Sequence, residues 1–346
     1  WSCPCNGSEI TGNISYINRV FVNDEQRHYI VSSSYLDVEA LNMDADAFSF
    51  IVREESEVNL YNFSKELKKV KTIEDTEETI FDSYFKCDEN YMLACTESSG
   101  YILVEENNNK NISIPGDCDY SSGNTVSADI LTSKQYLTIG YDNPNQDSIN
   151  PLVGIYSFAD TTTPVKEIQN CEYARFGKDI INNKNYLLTI VKSGNTYEVQ
   201  IYDSDKGFNE PEYKGYTYES QYGLPNKFQI VNNDFYISGE NFILKYNQEI
   251  QIFDTLPSDN KKLIGVDNHG YYWWLSNMNK LCKGISINAQ PIFQKDLPTS
   301  MEEDKSYSFL PIGINPTNNK LSMFEISEFD GTSDLVLQEI KLEALQ

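Results

Sequence analysis

Seven times along this chain a short polar turn is followed by an apolar or aromatic residue that opens a β-rich run. The copies read DADAFSFIV at Phe48, DENYMLACT at Tyr91, SKQYLTIGY at Tyr136, NKNYLLTIV at Tyr186, NNDFYISGE at Phe235, NHGYYWWLS at Tyr271 and NNKLSMFEI at Leu321. They recur every 35 to 50 residues, roughly the period of repeat architectures in which each unit covers its neighbour's apolar face. A string of unrelated domains would not keep that rhythm.

Each unit also holds further strand signals. After the anchor come segments such as NLYNF around Tyr61, GIYSF around Tyr156 and VQIYD around Tyr202. Shorter outer segments follow: LKKVKTI, NISIP, PVKEIQ, EYKGY, EIQIF and PIFQK. Inner segments precede the anchor, as in ADILT, KDIIN, FQIVN, LIGVD and PIGIN. Four short strands per unit, repeated seven times, predict an all-β, seven-bladed β-propeller with four-stranded antiparallel blades. The last unit reaches the C-terminus after three strands. Two N-terminal segments, 14–22 and 28–34, are strand material without a blade, so one of them is expected to supply the missing outer strand and close the ring. No Pro, Gly or Ser-rich linker divides the chain, which reads as one domain over 14–346 behind an N-terminal extension at 1–13.

The strand endings GIYSFADTT and VQIYDSDKG resemble the third-strand endings of the β-propeller superfamily, over roughly residues 14 to 346. The GH and WD pair of WD40 repeats, the double glycine of kelch and the sialidase Asp box are absent. The resemblance therefore implies the fold, and no functional residue is carried over with it.

The chain starts at Trp1 without Met and holds no apolar run of membrane-spanning length, which reads as a mature secreted product. Sequons stand at Asn6, Asn13, Asn62 and Asn111, while Asn315 precedes Pro316 and is excluded. All four lie before residue 114, and Asn62 and Asn111 are expected at equivalent turns between third and fourth strands. One arc of the ring would then carry sugar and leave the later blades bare. Seven cysteines, Cys3, Cys5, Cys87, Cys95, Cys118, Cys171 and Cys282, cannot all pair within one chain, so a free thiol or an intermolecular bridge is expected. The candidate pairs are Cys87 with Cys95, across a tight turn, and Cys118 with Cys171, at matching positions in DCDYSS and NCEYAR.

The formal net charge of −25 disfavours nucleic acid and anionic membranes as partners. Calcium is the cation such a surface would take. Its densest candidate is Asp203, Asp205 and Glu210 in YDSDKGFNE, a loop whose glycine and missing late glutamate fit an EF-hand poorly; a polar turn is the plainer reading. Zinc has little to bind it, because Cys3 and Cys5 form CPC and the chain has only His28 and His269. With no GxSxG, P-loop or dinucleotide fingerprint, no catalytic residue is assigned. Paired carboxylates of a glycoside hydrolase are the enzymatic arrangement that spacing alone would not expose. In YYWW, alternation sends Tyr271 and Trp273 to one face and Tyr272 and Trp274 to the other, where they meet adjacent blades; sugar stacking is the functional alternative.

These readings converge on a secreted, N-glycosylated structural or adhesive subunit that assembles with itself or with other extracellular proteins. Trp1, a large apolar residue on the extension, is the candidate interface anchor. The alternative is a carbohydrate-binding propeller.

Overall fold

Left-handed backbone at the polar turns folds each repeat back on itself. Asn183, Asn319 and the pair Asn232 and Asn233 hold positive φ, as does Gly270. Asparagine tolerates this region better than other residues with a Cβ, which accounts for its recurrence before the anchors. At Asn232 (φ 53°) and Asn233 (φ 66°) both central residues are left-handed, the requirement of a type I′ hairpin, and Val231 pairs directly with Asp234. Side chains at the preceding strand ends hold the turns. Asp179 Oδ1 accepts from the amides of Ile181 and Asn182, both at 3.1 Å, and Asn315 Oδ1 accepts from the amide of Thr317 at 2.9 Å.

The computed structural model describes residues 25–342, apart from 34–36, 44–47, 55–56, 64–66, 75–84, 89–90, 97–99, 106–107, 113–127, 143–150, 248, 257–260, 277–279 and 298–305. The chain opens on β1 (Glu25–Ser33). One antiparallel sheet follows from β2 (Asp37–Met43), β3 (Phe48–Glu54), β4 (Glu57–Phe63) and β5 (Leu67–Glu74), and the next from β6 (Phe85–Asp88), β7 (Tyr91–Thr96), β8 (Gly100–Glu105) and β9 (Asn108–Ile112). A third comprises β10 (Ala128–Leu131), β11 (Tyr136–Asp142), β12 (Pro151–Ser157) and β13 (Lys166–Gln169). The eight-stranded sheet joins two meanders: β14 (Cys171–Asp179), β15 (Lys184–Ser193), β16 (Thr196–Asp203) and β17 (Tyr213–Glu219), then β18 (Lys227–Val231), β19 (Asp234–Ser238), β20 (Phe242–Tyr246) and β21 (Gln251–Thr255). Their junction is one parallel bridge, Asp179 to Ile230. Next come β22 (Lys262–Val266), β23 (Tyr272–Leu275), β24 (Lys280–Gly284) and β25 (Phe293–Asp296). The last sheet combines β26 (Ser306–Asn315), β27 (Lys320–Phe329) and β28 (Thr332–Lys341) with β1, which pairs antiparallel to β28 from Glu25 opposite Ile340 to Ser33 opposite Ser333. Of the two unassigned N-terminal segments, the one around His28 is therefore the strand that joins the C-terminal sheet.

The result is an all-β fold with a propeller-like arrangement of small antiparallel sheets. First strands touch in succession, β2 to β6, β6 to β10, β10 to β14, β14 to β18, β18 to β22 and β22 to β26, and β26 also touches β2. Packing between sheets uses both faces of each strand. Trp273 lies in a cluster with Tyr307, Phe309, Leu321 and Met323 of the following sheet, while Trp274 packs with Ile243 of the preceding one. The alternation expected for the YYWW run holds, and both indoles are fully buried core rather than sugar platforms. Truncating either to alanine would cost about 3–5 kcal/mol by the usual scale for buried aromatics.

Two local expectations need correction. The outer strand assigned to NISIP is instead Asn108–Ile112, because the asparagine-rich NNKNI pairs with residues 101–105. Asn62 therefore sits near the end of a third strand and Asn111 near the end of a fourth, so the two sequons are not equivalent.

Candidate functional site

Polar side chains pin neighbouring first strands side by side. Asp129 Oδ2 accepts from the amide of Phe176 at 2.8 Å, which ties β10 to β14. Gln229 uses both ends of its amide on one residue of the next strand: Oε1 accepts from Val266 N at 2.9 Å and Nε2 donates to Val266 O at 3.0 Å. Gly265 makes room for it, since a Cβ there would lie 2.8 Å from Gln229 Oε1. At the turns, Asn182 Nδ2 donates to Asn233 Oδ1 at 3.0 Å and Asn232 Nδ2 to Asn268 O at 3.1 Å. The first-to-second-strand turns of successive units thus lie on one side of the molecule.

Beside these strands lies a partly open cavity of about 880 Å³, lined by segments of β14, β18, β22 and β26 and by the β19–β20 turn. The sequence has 52 Asp and Glu against 27 Lys and Arg, yet among the described residues the lining contains Arg175, Lys178, Lys227, Lys261 and Lys262 and one carboxylate, Glu240. Lys227, the first residue of β18, reaches over two neighbouring strands: its Nζ donates to Ile264 O and, at 3.3 Å, to Ile312 O. Arg175 likewise spans to the following unit, donating to Asn226 O at 2.7 Å. Lys261 contributes its stem, because its ammonium turns outward to Ile287 O at 3.1 Å and lies 6.0 Å from the Trp274 ring centroid. Burial, and then the positive charge of Arg175, push the Lys227 ammonium down to about 7.

This site brings basic side chains into partly apolar surroundings. Glycoside hydrolysis needs two facing carboxylates, and the described lining supplies one, Glu240.

None of the described residues singled out from sequence lines this cavity. Trp1, Cys3, Cys5, Asn6, Asn13 and Cys118 fall outside the described residues. Cys171 is a free, buried thiol that donates to Tyr173 O at 3.2 Å, so its expected bridge to Cys118 is not formed. The reason is local: the first residue of β14 points into a core cluster with Val153, Ile155, Leu187 and Tyr202. Cys87 is buried opposite Met92, three residues before Cys95 in the paired strand. Asn62 is half-buried.

The three candidate calcium ligands do not converge. Asp203 accepts the amide of Asp205 at 2.9 Å and faces the Lys206 ammonium at 3.5 Å, Asp205 pairs with Lys134, and Glu210 stands exposed 3.9 Å from Lys214. The chain's own lysines answer each carboxylate, and no group of three metal-ligating side chains occurs among the described residues. His28 Nε2 lies 3.6 Å from Glu339 in the β1–β28 pair, and His269 sits in the turn capped by Asp267.

The cationic lining was not read from sequence, although a signal existed. Lys227 opens KFQIV and Lys262 opens KLIGV, so two successive inner strands begin alike. No family model matches this chain, and no curated protein matches it.

Proposed function

We propose that this chain is a secreted, N-glycosylated structural or adhesive subunit: a seven-bladed propeller closed by its N-terminal strand, assembling with copies of itself or with other extracellular proteins. The blade count is supported by seven successive strand groups and by the contact of β26 with β2. The observation that carries the assembly reading is the placement of exposed aliphatics. Val165 (56 % exposed), Ile181 (43 %), Ile250 (38 %), Ile285 (69 %) and Ile292 (60 %) lie in first-to-second or third-to-fourth connections, and Ile252 (48 %) lies on β21, two residues beyond Ile250. Antiparallel alternation puts those connections on one side of their sheets, and the turn-to-turn bonds of Asn182 and Asn232 align that side across three neighbouring units. Single exposed aliphatics are ordinary; a set gathered on one side marks a contact surface. The units that carry these exposed residues lie beyond the last sequon, at Asn111.

Light scattering and electron microscopy of protein from its native source, with and without reductant and glycosidase, test the proposal. Discrete oligomers or polymers are expected, and the double variant Ile285→Asp, Ile292→Asp should shift them to smaller species. A monomer at every concentration would refute self-assembly, and a mass unchanged by glycosidase would refute glycosylation.

A further inference from the structure

We propose that residues 14–22 of one copy add an antiparallel strand to the outer edge of β21 in the next copy, so that the chain assembles head to tail. This rests on the self-assembly reading above and names the contact that would make it.

The acceptor is the one outer strand that carries no guard. β1, β5, β9, β13, β17, β21 and β25 each end a sheet, and an end strand is a template for further pairing that lysine or proline discourages. Arg27, Lys68, Lys110, Lys166, Lys214 and Lys295 stand on six of them, whereas β21 reads QIFDT and has no Lys, Arg or Pro. Ile252 on this strand and Ile250 just before it are exposed. The backbone of the edge is turned outward as well. Ile250 O accepts from Asn247 N and Leu256 N donates to Asn241 O, so the even-numbered residues bond inward to β20, and Gln251 and Phe253 direct their N–H and C=O groups away from the sheet. Asn288 Nδ2 donates to Thr255 O at 2.9 Å, which marks the end of the open stretch.

The occupant follows from the strand material left without a blade. Residues 14–22, ISYINRVFV, lie outside the described residues and carry one charge, Arg19. Laid antiparallel with Val22 opposite Gln251, they bring Val20 opposite Phe253, and these two are the hydrogen-bonded pairs. Phe21 then stands opposite Ile252 and Arg19 opposite Asp254, the pairs whose side chains lie closer. One register therefore matches an aromatic with an aliphatic and a cation with a carboxylate, both favourable across strands. The segment's own chain offers less. A two-residue hairpin at Asn23 and Asp24 would lay it on β1 with Val22, Phe21 and Val20 opposite Glu25, Gln26 and Arg27, apolar against polar throughout. Its own β21 is out of reach, because Asn23 and Asp24 extend only about 7 Å and the β22–β25 sheet stands between β1 and β21. A strand given by one copy to a different surface of the next is a heterologous contact, which closes into a ring or runs on as a filament.

Sedimentation velocity of the full chain tests the contact. Ile252→Lys gives β21 the guard that the other outer strands have and should dissociate the oligomers; the position is exposed, so the fold is kept. Thr217→Lys, on β17 beside Lys214, should leave them unchanged. Arg19→Glu and Asp254→Arg should each weaken association about fivefold. Mixing these two variants should restore it, since each copy then meets the opposite charge on the other, and the double variant should assemble alone. Restoration in the double variant without restoration in the mixture would show that the segment pairs within its own chain, and would overturn the proposal. Oligomers indifferent to both Ile252→Lys and Arg19→Glu would overturn it and leave self-assembly standing, whereas a native monomer at every concentration would overturn both.

Discussion

Removing the carboxylate of Asp267 should destabilise the fold more than any change to an exposed acidic residue. Asp267 is 1 % exposed, and its charge is held by three donors: the amides of His269 and Tyr271, each 3.0 Å from Oδ1, and the indole N–H of Trp273, 2.9 Å from Oδ2. In Asp267→Ala the two turn amides regain water, at a net loss of about 1 kcal/mol each. The indole N–H is buried and does not, which adds about 1–3 kcal/mol for an unsatisfied donor. The sum is roughly 3–5 kcal/mol. Asp267→Asn keeps Oδ1 for the amides but turns an NH₂ toward the indole N–H, so about 2 kcal/mol is expected. Trp273→Phe removes the donor and leaves Oδ2 unpaired, and the double variant Asp267→Asn, Trp273→Phe should lose about 1 kcal/mol less than the sum of the two. Urea unfolding followed by far-ultraviolet circular dichroism reads these changes as shifts in midpoint at constant slope. If Asp267→Ala stayed within about 0.5 kcal/mol of the native protein, or the cycle were additive, the buried bond would not hold this turn as argued.

Two further outcomes follow from burial. Lys227 titrates at about 7 in the folded protein and at 10.5 in its unperturbed state, so between these values the unfolded chain carries a proton that the fold lacks. Stability should then rise with pH across that window, by at most about 1.4 kcal/mol per pH unit. Below pH 7 both states are charged and this contribution is flat. Above about pH 10 the buried tyrosines, whose pKa values are raised by desolvation at Tyr197, Tyr218 and Tyr236, oppose the trend because they ionise first when unfolded. Urea unfolding from pH 7.5 to 9.5 should show the slope and its flattening in Lys227→Met; equal slopes would refute the assignment. Cys171, fully in the core with its thiol pushed up to about 12 chiefly by desolvation, should resist iodoacetamide in the native protein and react in urea. Native-state labelling at Cys171, mapped by peptide mass, would contradict that.

The period of the chain and most of its strand starts were legible because both depend on near neighbours. Phe48, Tyr91 and Tyr136 each begin a strand, and the asparagines before later anchors adopt the left-handed turns that reverse the chain. Alternation in YYWW placed two indoles on opposite faces for the same reason. The NNKNI segment misled because asparagine serves turns and edge strands alike, and only pairing with residues 101–105 selects the strand. Likewise both N-terminal segments had strand chemistry, and β28 accepted the one around His28.

What the sequence by itself determined is an all-β repeat whose units bury apolar residues on both faces. The tertiary structure alone decided what those units enclose. Net charge is a sum over the chain and carries no position, so an acidic total gave no sign of cations gathered around a cavity. Arg175, Lys227 and Lys262 stand in three separate repeats and line one cavity because the first strands of successive units lie side by side. Local chemistry sets turns and alternation; long-range register sets which charges share a space, and that register exists only once the sheets have packed.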